Sequence, residues 1–194
     1  STAAFFAGAA VLVPDSEIIL NNILANPTRF EFFNTIRNMG VKIDVVSSWN
    51  ETGESVKNIK VKSSTLEAIK IGKEKISGLI DEIPILSIIA TQAMGTTEIR
   101  DAKELRVKES DRIKSIIFNL KNMGASVEEY DDGFSIHGPT PLKGAKIKTY
   151  NDHRIAMAFT VAGLIAKGTT TLDNPKCVEI SFPDFFKLLE SVVK

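Results

Sequence analysis

The stretch "MGTTEIRDA" (Met94–Ala102) is matched further along the chain by "KGTTTLDNP" (Lys167–Pro175). A second matching pair is "IRNMGVKIDVV" (Ile36–Val46) and "LKNMGASVEEY" (Leu120–Tyr130). Each pattern recurs at roughly 75-residue spacing, and two patterns that recur in this way indicate internal structural repeats. The spacing is too long, and the copies are too few, for a solenoid. We therefore predict three repeats, at roughly 1–62, 63–140 and 141–194.

Each repeat predicts the same order of elements. An apolar helix comes first, at Thr2–Val13, Ile83–Ala93 and Arg154–Ala166. A short β segment follows, at Glu17–Leu20, Thr96–Ile99 and Thr169–Leu172. A loop then leads to an amphipathic helix, at Phe30–Met39, Asp111–Met123 and Pro183–Val193. Alternating strands and helices of this kind predict an α/β (α+β) fold.

The segments after the amphipathic helices predict antiparallel hairpins. Gly40 and Gly124 are placed as helix-ending glycines in the first two repeats. "ASVEEYDDGFSIHG" (Ala125–Gly138) alternates like a hairpin, with Asp132-Gly133 expected at its turn. "WNETGES" (Trp49–Ser55) is predicted to be a loop.

Composition argues against several functional classes. Lys+Arg and Asp+Glu are both 24, so the formal net charge is zero and no overall charge favours nucleic acid or an anionic membrane. Cys177 is the single cysteine, which fits a reducing cytoplasm, and with His137 and His153 as the two histidines no metal site is expected. The chain opens with the apolar "STAAFFAGAAVLV" and no Met, as expected for the later part of a longer protein.

Three ionisable residues stand directly before the third apolar helix, in "TYNDHRIAMAFTVAGL" (Thr149–Leu164). When the repeats are superposed, Ser1, Asp81 and Arg154 share one position at the start of a buried helix. Helix starts expose unpaired N–H groups, so several that converge predict an anion-binding cleft. The alternative is that Asp152 only caps its helix. Capping leaves Arg154 unexplained, because a cation at a helix start opposes the helix dipole.

A second group of charges lies in "ELRVKESDRI" (Glu104–Ile113). Read locally, this segment is a solvated loop with weak surface ion pairs, in which Ser110 and Asp111 are helix caps. The repeats instead place it near the helix starts, and the matching loop of the third repeat, "NPKCVEIS", adds a lysine. One cleft would then hold Asp81, Lys108, Glu109, Arg112, Arg154 and Lys176.

Such a cleft suggests a definite chemistry. Several cations bind a small molecule with several negative charges, and arginine suits bidentate capture of carboxylate or phosphate. Two carboxylates among those cations can move protons. His153 is either a structural hydrogen-bonding group or a helper in the site. Cys177 is expected to pack in the core, and so are the phenylalanines at positions 30, 32, 33, 182, 185 and 186.

Four stretches closely resemble the C-terminal half of the 5-enolpyruvylshikimate-3-phosphate synthase family (3-phosphoshikimate 1-carboxyvinyltransferases). They are "LRVKESDRI", "YNDHRIAMAF", "LIDEIPILSIIATQAMGTT" and "SFPDFF", and "STAAFF" resembles the helix start that opens this half. The resemblance implies a domain of repeated βαβαββ units with helices inside and sheets outside, an inside-out α/β barrel. Residues 1–194 would be the single C-terminal domain of a two-domain enzyme, with the N-terminal domain absent from this chain.

The resemblance also implies a reaction and its residues. The family transfers the enolpyruvyl group of phosphoenolpyruvate to the 5-hydroxyl of shikimate 3-phosphate, releasing phosphate, in the shikimate pathway to chorismate and the aromatic amino acids. It uses neither a metal nor another cofactor. Carried over by motif, Asp81, Glu109 and Lys108 would be catalytic, and Asp81 and Lys108 would also bind shikimate 3-phosphate. Phosphoenolpyruvate would be bound by Arg112, Arg154 and Lys176, with His153 as a secondary contact. Glu104 stands where some relatives carry Asn, so a substrate contact there is left open.

Three alternatives remain at this point. Enzymes of the same architecture include the UDP-N-acetylglucosamine enolpyruvyl transferase and the RNA 3′-phosphate cyclase, and neutral charge argues against the second. The other alternative is a non-catalytic repeat domain that binds a partner protein. Candidates for the lysine, arginine and serine cluster of the family's other domain are not found in this sequence, so we expect the chain alone to be folded but catalytically silent.

Overall fold

Three groups of elements follow one another along the chain in a computed structural model that describes residues 2–26 and 29–193. The first group consists of α1 (Thr2–Leu12), β1 (Glu17–Leu24), α2 (Glu31–Asn38), β2 (Ile43–Glu51) and β3 (Glu54–Lys62). The second begins with β4 (Lys70–Ile71), α3 (Lys73–Leu79), α4 (Ile83–Ala90) and β5 (Gly95–Ile99). It continues with a 3-10 helix (Lys103–Val107), α5 (Arg112–Asn122), β6 (Ser126–Tyr130) and β7 (Gly133–Gly138). The third consists of β8 (Lys146–Ile147), α6 (His153–Ile165), β9 (Thr171–Leu172), a second 3-10 helix (Pro175–Ile180) and α7 (Phe185–Val192).

The strands form three separate sheets. In the first, β3 lies between β1 and β2 and is antiparallel to both. The second has the order β4-β5-β7-β6, in which only the β4–β5 pair is parallel. The third is the parallel pair of β8 and β9. One antiparallel, one mixed and one parallel sheet, with helices between their strands along the chain, confirm the α/β prediction.

Helices α1, α4 and α6 pack against one another in the interior. All eight residues of α4 are buried, as are most of those in α1 and α6. A helix that is apolar on every side is stable only when it is surrounded by protein, and that accounts for the central place of these three. The sheets flank them, since α1 packs on β1 and β3, and α4 packs on β7. The predicted arrangement of inner helices and outer sheets is confirmed.

The amphipathic helices α2, α5 and α7 begin and end within two residues of the predicted bounds. Four of the six phenylalanines expected in the core are buried, and the other two are partly buried against it; the buried ones are Phe30, Phe32, Phe33 and Phe185. Helix α5 begins after Asp111, whose carboxylate accepts a hydrogen bond from the backbone N–H of Lys114. This cap was predicted.

Two turn predictions need correction. Tyr130 pairs with Gly133, so the β6–β7 turn consists of Asp131 and Asp132, one residue earlier than expected. The stretch Trp49–Ser55 is mostly strand, because β2 and β3 extend to a tight turn at Thr52 and Gly53. Both turn residues there have positive φ, at 47° and 87°, which suits the right-handed twist of a hairpin.

Within the described ranges, no helix has both the length and the apolar character needed to cross a membrane.

Gly40 and Gly124 end α2 and α5 in the left-handed conformation, with φ of 99° and 86°. Each backbone N–H donates to a carbonyl of the last helical turn, Arg37 in one case and Lys121 in the other. Their surroundings differ. A Cβ at Gly40 would lie 2.9 Å from the backbone oxygen of Thr65, whereas at Gly124 the nearest atom would be a flexible lysine carbon at 4.0 Å.

We predict that Gly124→Ala lowers the free energy of unfolding by about 1–2 kcal/mol, the cost of a left-handed alanine. Gly40→Ala has the same conformational cost and also causes a clash with the backbone. We therefore expect it to lower the free energy of unfolding by more. Urea denaturation of the two variants and the wild type measures the difference. Equal losses, or a larger loss for Gly124→Ala, would contradict this account of the two helix ends.

Candidate active site

The start of α6 is fixed by the side chain of Asp152, which is fully buried. Its Oδ1 accepts hydrogen bonds from the backbone N–H groups of Arg154, at 2.9 Å, and Ile155, at 3.4 Å. The predicted capping role of Asp152 is confirmed. Its other oxygen does something that capping does not require. Oδ2 accepts from Nε of Arg112 at 2.8 Å and from Oγ of Ser110 at 3.1 Å.

Arg112 lies at the first position of α5 and its side chain has no exposed surface. Besides Asp152, its guanidinium contacts two more carboxylates. Nη1 lies 3.1 Å from Oδ1 of Asp81, and Nη2 lies 2.5 Å from Oε2 of Glu109. Burial of the guanidinium opposes its charge, but the contacts with Asp152, Glu109 and Asp81 outweigh burial and raise the pKa of Arg112 above its ordinary value.

Asp81 joins the second and third groups of elements. It lies two residues before α4, and its Oδ2 accepts from Nη2 of Arg154 at 3.0 Å. Nη1 of Arg154 also donates to the backbone oxygen of Asp81, at 3.1 Å. The starts of α4 and α6 therefore meet, as the superposed repeats predict. The third expected member of this set, Ser1, lies outside the described residues.

These five residues form one connected network, which we call the carboxylate–arginine cluster: Asp81, Glu109, Arg112, Asp152 and Arg154. Its three carboxylates outnumber its two guanidinium groups. The carboxylates differ in access to solvent, since the side chains of Asp81 and Glu109 are 42% and 49% exposed, whereas that of Asp152 is 0% exposed. Two carboxylates that can reach a ligand therefore share a buried cation with one that cannot.

Two predicted cations stand outside this network. Lys108 forms an ion pair with Glu104, one helical turn before it, and is adjacent in sequence to Glu109. Lys176 is exposed on the second 3-10 helix, which packs against α6, and it forms no ion pair with any residue in the described ranges. The structure thus brings Asp81, Glu109, Arg112 and Arg154 together, while in the described ranges the side chains of Lys108 and Lys176 form no hydrogen bond or ion pair with theirs.

His153 is the first residue of α6 and is partly buried. Burial, followed by the positive charge of Arg154, lowers its pKa below the ordinary value of 6.5. The imidazole is therefore neutral at neutral pH and adds no positive charge to the neighbouring cluster. A neutral ring is suited to donate or accept a hydrogen bond there.

Sequence reasoning missed the full role of one residue and misplaced another. Asp152 was interpreted as a cap or a site residue, and it is a cap that also binds Arg112. Ser110 was considered as a cap of α5, but it donates to Asp152 instead. The sequence indicates that each of two motifs has a charged residue at a helix start. That these two residues pair with each other depends on how the helices pack.

Replacing Arg112 would leave Asp152 buried without its cationic partner. We expect Arg112→Met to lower the free energy of unfolding by about 3–5 kcal/mol, the range seen when one member of a buried ion pair is removed. The matched control is Arg100→Met. Arg100 is 44% exposed and pairs with Asp132 and Glu98, so its removal should cost about 1 kcal/mol or less. Denaturant unfolding of both variants measures this, and similar losses would contradict the buried network.

The lowered pKa of His153 predicts a pH effect on stability. When a folded-state pKa is depressed, the unfolded chain takes up a proton first, so stability is lost as pH falls from the ordinary value toward the folded pKa. Free energies of unfolding at about pH 7.5 and about pH 5.5 should therefore differ less in His153→Gln than in the wild type. NMR titration should give a midpoint for His153 below pH 6.5. A His137→Gln variant assigns the resonances of the two histidines. A His153 midpoint above that value would be inconsistent with burial as the cause.

Comparison with known proteins identifies the family of this chain. Residues 1–189 match the family model of EPSP synthase (3-phosphoshikimate 1-carboxyvinyltransferase). The 3-phosphoshikimate 1-carboxyvinyltransferases of Thermodesulfovibrio yellowstonii and Persephonella marina are 49% and 48% identical over all of this chain, which spans 45% of each relative's length.

The structural relatives agree with those in sequence. An EPSP synthase structure from Acinetobacter baumannii superposes with a TM-score of 0.94 at 36% identity, covering 98% of this chain and 45% of that one. The enolpyruvyl transferase NikO from Streptomyces tendae superposes with a TM-score of 0.78 over 98% of this chain and 42% of that one; at 19% identity this likeness concerns the fold alone. The family model covers nearly the whole chain, and the sequence and structural relatives agree with it, so the chain belongs to the EPSP synthase family.

Proposed function

We propose that a protein of the family's full length that carries this chain transfers the enolpyruvyl group of phosphoenolpyruvate to the 5-hydroxyl of shikimate 3-phosphate. Family membership supports the reaction class, and one observation in this chain supports its chemistry. Asp81 and Glu109 are exposed carboxylates held against the buried guanidinium of Arg112. Carboxylates in such a place can take and give protons beside a bound anion.

The proposed reaction is an addition followed by an elimination. Asp81 takes the proton of the 5-hydroxyl as the hydroxyl oxygen forms a bond to C2 of phosphoenolpyruvate. Glu109 gives a proton to C3. In the second step C3 returns a proton to Glu109, the bond from C2 to the phosphate oxygen breaks, and inorganic phosphate leaves with the proton that Asp81 took from the hydroxyl. The same two carboxylates are in reach of both steps because they share one cation in the cluster.

The cations bind the substrates in this proposal. Arg112, Arg154 and Lys176 hold the carboxylate and phosphate of phosphoenolpyruvate, with His153 as a secondary contact. Guanidinium groups match these planar or tetrahedral anions through paired hydrogen bonds. Lys108 binds shikimate 3-phosphate through N–H donors that its ion pair with Glu104 leaves available. No metal or other cofactor has a role in either step.

We further propose that this chain is one domain of a two-domain enzyme and works with a partner domain across the substrate cleft. The chain spans 45% of the length of its full-length relatives. Its cluster has more carboxylates than arginines, so further positive charge from a second domain would balance two anionic substrates. A single, unpaired cysteine favours a cytoplasmic location.

The test is an assay of the full-length protein with phosphoenolpyruvate and shikimate 3-phosphate, following phosphate release and the enolpyruvyl product by mass spectrometry. We expect turnover, and we expect Glu109→Gln to lower kcat about 10²–10⁴-fold, as for the loss of a general acid. Glu129→Gln is the matched control, since Glu129 pairs with Arg106 outside the cluster. The chain by itself should show no turnover.

Two results would overturn the proposal. One is turnover with UDP-N-acetylglucosamine in place of shikimate 3-phosphate, which would indicate the related enolpyruvyl transferase. The other is full activity in Glu109→Gln, which would remove the proton-transfer role from the cluster.

A further inference from the structure

The two oxygens of Asp152 serve two different elements. Oδ1 accepts the backbone N–H of Arg154 and so fixes the first turn of α6. Oδ2 accepts Nε of Arg112 and so fixes the first residue of α5. One fully buried side chain therefore holds the backbone of one arginine of the cluster and the side chain of the other. A helix cap alone would need only the first of these contacts.

The three partners of Arg112 contact different edges of its guanidinium. Asp152 contacts Nε, while Asp81 and Glu109 contact Nη1 and Nη2. The partners at the Nη groups are the exposed carboxylates, and the partner at Nε is the buried one. An incoming anion can thus replace Asp81 and Glu109 in their contacts without disturbing the contact with Asp152.

The segment that carries Asp152 is itself held in place. The backbone N–H and the hydroxyl of Thr149 both donate to Oδ1 of Asp173, at 2.9 Å and 2.7 Å. Asn174 donates to the side chain of Asn151 at 2.8 Å. Tyr150 and Asn151 have positive φ, at 53° and 57°, a conformation that persists only where the surroundings impose it. Asp152 is therefore supported from the loop after β9.

We propose that Asp152 is a positioning residue for phosphoenolpyruvate capture: it holds Arg112 by Nε and Arg154 by its backbone, while Asp81 and Glu109 vacate the Nη groups for the substrate. This inference rests on the proposed function and adds Asp152 as the residue that fixes the two arginines relative to each other. It also links substrate binding to proton transfer. An anion that binds the Nη groups releases Asp81 and Glu109, the two carboxylates proposed to move protons.

The test compares two helix-capping aspartates in the full-length protein. Asp152→Asn keeps an oxygen for the cap but presents an uncharged amide to Arg112. Asp111→Asn changes the cap of α5, which also pairs with an arginine, Arg106, but lies outside the cluster. A purely structural role predicts that both variants lose stability and that neither changes substrate binding.

We expect Asp152→Asn to raise KM for phosphoenolpyruvate about ten- to a hundredfold, the loss typical of a hydrogen bond to a charged group. KM for shikimate 3-phosphate should change far less, and Asp111→Asn should change neither. Calorimetric titration with phosphoenolpyruvate should show the same loss of affinity without turnover. Unchanged phosphoenolpyruvate affinity in Asp152→Asn, with a loss of stability like that of Asp111→Asn, would reduce Asp152 to a helix cap and overturn the inference.

Ser110→Ala provides a second test if Asp152→Asn does not fold. It removes one neutral donor from Oδ2 of Asp152, so KM for phosphoenolpyruvate should rise by a smaller factor, about two- to tenfold. No rise would overturn the inference. The titration also separates this inference from the proposed function. Weakened phosphoenolpyruvate binding in a protein that does not use shikimate 3-phosphate would refute the proposed function alone.

Discussion

The buried guanidinium of Arg112 is the constraint on which the rest of the site depends. A charge without exposed surface is tolerated only when carboxylates surround it, and here they come from three different places. Asp81 precedes α4, Glu109 lies in the loop before α5, and Asp152 precedes α6. Satisfying one arginine therefore requires the starts of three helices to meet. The apolar packing of the inner helices makes that meeting possible, because it places α4 beside both α5 and α6.

Much of the fold was accessible from the sequence because its determinants are local. Continuous apolar runs predicted α1, α4 and α6, and their burial follows directly. Gly40 and Gly124 marked helix ends through a backbone conformation that glycine adopts at little cost. The sequence places the β6–β7 turn one residue too late, because the turn follows from the register of β6 against β7, in which Tyr130 pairs with Gly133, and an Asp-Gly pair does not record that register.

The site could be predicted from the sequence only in part, because some of its contacts join residues that are far apart in the chain. Repeats and motifs brought Asp81, Glu109, Arg112 and Arg154 into one hypothesis, and all four lie in one network. The partner at Nε of Arg112 could not be derived, because Asp152 is 40 residues away and its second oxygen is directed by helix packing. Conversely, Lys176 forms no hydrogen bond or ion pair with the cluster in the part of the chain that the structure describes. An exposed lysine has no packing constraint, so neither sequence nor fold fixes where its ammonium group lies.

The charge balance of the cluster fits the proposed exchange of carboxylates for a bound anion. With three carboxylates for two arginines, the network satisfies its buried cation without any ligand. In the proposed reaction, an anion that enters competes with Asp81 and Glu109 for Arg112, which lowers its net affinity, and each carboxylate it displaces is the group proposed to transfer a proton. Under that proposal, binding energy is used to free the two carboxylates for proton transfer. Such an exchange requires one partner of Arg112 to stay fixed, and Asp152 is the carboxylate whose burial prevents it from leaving.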